Sequence, residues 1–81
     1  MITIVNYGLG NISAFLNAFN RISIKVNVAN EHEDLKKASK IILPGVGAFD
    51  NAINKLRFSG MLEILNKKVL EEKTPTLGIC I

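Results

Sequence analysis

Cys80, the one cysteine of the chain, follows the apolar run Thr76-Leu77-Gly78-Ile79 and precedes Ile81. A thiol at the end of a strand, with a sharp turn and a helix to follow, would make a nucleophile elbow at the carboxyl edge of a parallel sheet. The positive end of the helix dipole would favour the thiolate there and ready it for attack near neutral pH. By itself a lone cysteine after an apolar run reads as a small buried hydrophobe. The reactive reading depends on what faces it.

Two glycine-bearing loops are placed to do so. Tyr7-Gly8-Leu9-Gly10-Asn11 follows the first apolar run, and its glycines allow a tight turn or a close approach of backbone. As a dinucleotide fingerprint it is weak, because Ser13 stands where the last glycine is required. Pro44-Gly45-Val46-Gly47-Ala48-Phe49 follows another apolar run, and two glycines around a valine suit a backbone that changes direction or flips a peptide. A main-chain N–H from that stretch could be one donor to an oxyanion, with the N–H of Ile81 as the second. A cysteine nucleophile also needs a base. His32, the one histidine, lies between glutamates in a short polar helix and is expected to be a solvated surface residue.

The positioning elements follow from periodicity. Ile2 to Val5 is a β-branched run ended by Asn6-Tyr7-Gly8, and predicts a buried strand. Asn11 is expected to N-cap a helix with Ile12, Phe15, Leu16, Phe19 and Ile22 on one face. Ile24, Val26 and Val28 alternate with polar residues, which predicts a strand nearer the sheet edge. Asn30 and Glu33 resemble a capping box for a short helix through Lys37. Lys40 to Leu43 predicts a third strand stopped by Pro44. Asp50 is expected to cap a helix carrying Ala52, Ile53 and Leu56, and Ser59-Gly60 to open another carrying Leu62, Ile64, Leu65 and Val69. Thr76 to Ile79 would be a fourth, buried strand. Alternating strands and helices predict right-handed βαβ units: an α/β fold, three-layered, with a mostly parallel sheet and helices on both faces.

Composition narrows the rest. With 81 residues, 48% of them hydrophobic, the chain forms one small domain or part of a larger one. The net charge of +3 is spread over scattered lysines and arginines, Lys67 and Lys68 among them, that read as solvated helix faces rather than a nucleic-acid patch. One cysteine excludes an internal disulfide and fits a reducing, cytoplasmic setting. No stretch reads as a signal peptide or a membrane span. A parallel sheet needs both faces covered, so a chain ending at Ile81 would leave apolar surface and a strand edge open. Residues 1–81 are therefore expected to be the N-terminal part of a single domain about twice as long.

The blocks Ile4-Val5-Asn6-Tyr7-Gly8-Leu9-Gly10-Asn11, Pro44-Gly45-Val46-Gly47-Ala48-Phe49 and Leu77-Gly78-Ile79-Cys80 resemble, in order and spacing, the glutaminase subunits of imidazole glycerol phosphate synthases. These are class I (triad) glutamine amidotransferases with a flavodoxin-like sheet. The resemblance implies that Cys80 attacks the side-chain amide of glutamine, giving a glutamyl thioester and ammonia. It implies that Gly45, Val46 and Gly47 form the oxyanion strand, with Gly45 and Gly47 against the substrate and the N–H groups of Val46 and Ile81 as donors. Asn11 would face the partner, a (β/α)₈-barrel cyclase subunit that receives the ammonia. The family's histidine and glutamate lie farther downstream, so the 81 residues alone are expected to be inactive. No cofactor, metal, nucleic acid or membrane is implied.

Asn6 and Ile81 depart from the aspartate and leucine frequent in the family. Ala48-Phe49-Asp50-Asn51-Ala52 and Asn66-Lys67-Lys68-Val69-Leu70 are also similar to paralogues that serve surface-polysaccharide modification. A cysteine hydrolase on a similar sheet, or a non-catalytic phosphate-binding module, remain the alternatives.

Overall fold

The computed structural model describes residues 1–45 and 49–80, and among these not the side chains of Phe49 and Cys80. Strands β1 (Ile2–Val5), β2 (Val26–Ala29), β3 (Lys40–Gly45) and β4 (Thr76–Cys80) alternate with helices α1 (Ile12–Arg21), α2 (His32–Lys36), α3 (Phe49–Ser59) and α4 (Leu62–Asn66). The last of these runs on through a π-helical turn at Lys67–Glu71. All strand pairs are parallel, in the order β2-β1-β3-β4. This is the start of the doubly wound, flavodoxin-like order, with its switch point between β1 and β3.

The direction of the crossovers reverses at β1, so right-handed connections put α1 on one face and α2 to α4 on the other. Side chains agree with that division. Val5 and Ile41 join Leu35 of α2, Leu56 of α3, and Met61 and Leu65 of the α4 segment in one buried cluster. On the α1 side, Phe19 lines an open groove of about 330 Å³ with Ile2, Ile42 and Leu77.

Several elements differ from their sequence expectation, each for a physical reason. Strand β2 is at the sheet edge as expected, but begins at Val26. Ser23 takes a left-handed conformation and the N–H of Ile24 bonds back to Phe19, so Ile24 closes α1 instead of extending β2. The capping box is shifted by one residue: Asp34 Oδ2 accepts from the N–H groups of both Asn30 (2.9 Å) and Glu31 (3.2 Å). Glu31 is the cap and α2 ends at Lys36. Asp50 lies inside α3 and is a first-turn acid rather than its cap. Ser59 ends α3 and bridges to the next helix, its hydroxyl donating to Leu56 and accepting from Met61.

Pro44 does not stop β3. The pairing of β3 with β1 covers only Lys40 to Ile42, whereas its pairing with β4 continues through Gly45. A residue's N and C=O lie on the same side of a strand. The N–H that proline lacks therefore falls where β1 has already ended, an edge position that tolerates proline.

Strand β4 is not buried here. Among the described residues it has one neighbour, β3, and Leu77 is 59% exposed, as expected of an open edge. Lys68 corrects the expectation of solvated lysines. It is only 5% exposed, and its Nζ donates to the carbonyl of Lys36 (3.1 Å) and to Glu72 (3.3 Å). The wide π-helical turn carries it inward, where the orphan carbonyl at the end of α2 accepts a hydrogen bond from its ammonium.

Candidate active site

The carboxyl ends of β1, β3 and β4 converge on one edge of the sheet. Cys80 is the last residue of β4 and Gly45 the last of β3, and the two are direct partners across the parallel ladder. Adjacent strands lie about 4.8 Å apart, so the backbone of Cys80 runs beside the start of the proposed oxyanion strand. Val46, Gly47 and Ile81, expected to supply that strand and the second donor, lie outside the described residues, as does the thiol side chain.

The first loop closes over this edge. Gly8 (φ +96°) and Gly10 (φ +82°) both adopt left-handed conformations that glycine alone takes without strain. At Gly10 a Cβ would lie 2.6 Å from the Cβ of Pro44, so the residue also permits close contact between loop and strand. Tyr7, 5% exposed within the core cluster, donates its hydroxyl to the Pro44 carbonyl, and a Cβ at Gly45 would sit 3.4 Å from that hydroxyl. Asn11 is exposed and caps α1 as expected, its Oδ1 accepting from the N–H of Ala14 at 3.1 Å. Behind the loop, Asn6 ties β1 to β2. Its N–H donates to Ala29 (2.8 Å) and its amide to the side chain of Asn30 (2.9 Å).

Of the residues singled out in the sequence, Gly45 and Cys80 are thus brought together directly, and Asn11 is held on the neighbouring loop. His32 is not among them. It follows β2, three strand spacings or roughly 14 Å from β4. It is half exposed, with Nε2 2.9 Å from Glu33 Oε1. Glu33 also accepts from Lys36 at 2.9 Å, and the ammonium of Lys36, with a lesser effect of His32, holds its carboxyl below the usual value. That triad is a solvated surface cluster. A groove of about 600 Å³ beside His32, lined also by Gly60, Glu63 and Leu70, likewise has no part in the edge where Cys80 lies.

Among the described residues no group of three or more His, Cys, Asp or Glu could hold a metal ion. Nor is any helix there long and apolar enough to cross a membrane. Tyr7 is the residue that sequence reasoning passed over. The signal was a lone tyrosine directly after a buried strand, since a buried phenol usually has a partner for its hydroxyl.

No family model matches the chain. It aligns over all 81 residues with imidazole glycerol phosphate synthase subunit HisH of Bdellovibrio bacteriovorus at 57% identity. Subunits HisH 2 of Methanococcus maripaludis and of Pseudomonas aeruginosa align over the same length at 47% and 41% identity. The chain is thus similar to HisH proteins over all of its own length. It spans about 40% of the length of these curated relatives, and corresponds to their N-terminal part.

Proposed function

We propose that this chain is part of a glutaminase in which Cys80 is the nucleophile, working with a cyclase subunit that makes imidazole glycerol phosphate and AICAR for histidine biosynthesis. The observation that carries the reading is the ladder partnership of Gly45 and Cys80 at the carboxyl edge, in a chain similar to HisH proteins from end to end. Oxyanion donors must lie within hydrogen-bond reach of the reacting carbonyl beside the nucleophile, and the pairing of Gly45 with Cys80 supports that reading.

The chemistry would proceed in two halves. The Cys80 thiolate adds to the amide carbon of glutamine, and the carbonyl oxygen takes the negative charge. The N–H groups of Val46 and Ile81 stabilise that oxyanion. Removing one such donor typically raises the barrier by about 3 kcal/mol. The tetrahedral intermediate collapses to a thioester as the nitrogen leaves, protonated by a general acid, as ammonia. Water then cleaves the thioester to glutamate and restores the thiol. The family's histidine, held by its glutamate and supplied by the part of HisH that follows these residues, takes the thiol proton, gives it to the leaving nitrogen and then activates the water. If the Val46 peptide turns its N–H toward the site only when the partner is occupied, glutamine is spared between cycles. Such control requires the partner to bind one state more tightly than the other.

The test separates the two sites. In the complete subunit bound to its cyclase, Cys80→Ala should abolish product formation from glutamine. Formation from added ammonium salt should continue, since the acceptor site is on the other subunit. Loss of both activities in an intact complex would overturn the reading.

A further inference from the structure

We infer that a cleft between the sheet and α2 is a binding site for a small zwitterion of the α-amino acid class. The cleft, of about 400 Å³, has Thr3 and Asn27 on the sheet side and Glu33, Asp34 and Lys37 on the helix side. Its volume is in the range of small-molecule sites, about 300–1,000 Å³. It lies toward the β2 end of the sheet, away from the carboxyl edge that carries Cys80.

Thr3 decides the reading. It is only 2% exposed, in the middle of β1. Its hydroxyl makes no hydrogen bond to the described residues, and none of their fully enclosed side-chain polar atoms lacks a partner. The sliver of Thr3 left open therefore includes the hydroxyl oxygen, and it opens into the cleft. A buried hydroxyl without a partner is destabilising, and a ligand that bonds to it recovers that loss.

The neighbours complete a set of acceptors. Thr3 and Asn27 are direct partners across the parallel ladder, so their side chains stand about 4.8 Å apart on one face. The amide nitrogen of Asn27 donates to the sulfur of Met1, which leaves its carbonyl oxygen for the cleft. Asp34 holds the start of α2 through Oδ2, which leaves Oδ1. Hydroxyl, amide and carboxylate oxygens from three elements match the three N–H donors of a primary ammonium. Glu33, already paired with Lys36 and His32, adds negative charge on the same wall. Lys37, at the end of α2, forms no ion pair among the described residues, and its ammonium is free to meet a carboxylate. An amine and a carboxylate on one small molecule answer both ends of the cleft.

The test is an NMR titration of the complete, isotope-labelled protein with L-alanine, which carries both charges and little else. Saturable shifts should centre on the amides of Thr3, Asn27 and Lys37, with a dissociation constant of about 1–10 mM for so small a ligand. Propionate and ethylamine, each with one of the two charges, should bind at least about tenfold more weakly. Thr3→Val removes the hydroxyl at constant shape and should weaken L-alanine about tenfold. Its melting temperature should equal or exceed that of the wild type, because the lost group had no partner. Thr3→Ser, which keeps the hydroxyl, should retain most of the affinity. Lys37→Gln should weaken binding by less than Thr3→Val, since its ammonium is exposed. Undiminished binding in Thr3→Val, ethylamine binding as tightly as L-alanine, or shifts confined to the carboxyl edge would each overturn the assignment. So would the absence of saturable shifts, the result expected if another segment of the complete protein, or water alone, fills the cleft.

Discussion

The two faces of the sheet differ in a way their sequences do not announce. Helix α1 has a clear apolar stripe in Phe15, Leu16 and Phe19, yet none of its residues is buried. The opposite face draws on short helices, α2 and α4 having five residues each, and still buries Leu35, Met61 and Leu65. Neighbours explain the contrast. Helix α4 packs on both α2 and α3, and buried residues of all three segments share one cluster with Val5 and Ile41 of the sheet. On the α1 side, Phe19 instead borders a groove at Ile42 and Leu77 that stays open. An amphipathic stripe specifies which side of a helix faces the sheet. It takes a second helix to close the remaining sides.

The interlock of Gly10 with Pro44 joins the first loop to β3, and breaking it should have the largest effect. Gly10→Ala combines a left-handed backbone with a Cβ 2.6 Å from that of Pro44. Urea denaturation of the complete protein should show a loss of about 3 kcal/mol or more, by strain and overpacking together. Leu35→Ala on the closed face should cost about 3 kcal/mol, since Leu35 is fully buried. Ile22→Ala at the end of α1, 63% exposed, should stay within about 0.5 kcal/mol. Equal losses at the two positions would contradict the contrast between the faces.

Hydrogen exchange on residues 1–81 sharpens the same comparison without mutation. Amides of β1 and β3, inside the ladder, should be the most protected, and those of α1 should exchange sooner. The smallest effect belongs to the surface. The carboxyl of Glu33 has its pKa lowered chiefly by Lys36, so the folded state holds its proton less tightly than the unfolded chain. Any stabilisation is complete above the ordinary carboxylate pKa and fades as pH falls through the lowered one. In Glu33→Gln this acid-side dependence should disappear, with stability near neutral pH almost unchanged because the group is fully solvated. An acid titration of stability for the two proteins checks it.

Much of this arrangement was legible in the residues themselves. The alternation of strands and helices, the cap at Asn11 and the arrival of Cys80 at a strand end depend on neighbours within a few positions. Backbone propensity and side-chain spacing act over that range. The misplaced boundaries were local competitions. Ser23 found a left-handed turn, and Pro44 met an edge that had no use for its N–H. Lys68 was hidden because a π-helical turn changes which side of a helix a residue faces.

What only the tertiary structure decided was register. Nothing near Gly45 in the sequence says that Cys80 will lie opposite it, and Tyr7 and Pro44 are 37 positions apart. Those pairings arise when whole strands settle against one another with their apolar faces buried. A shift of one residue would turn every side chain to the other face. The chemistry of each group was therefore present in the sequence, but the adjacency that would make the groups a site came from the packing of the sheet.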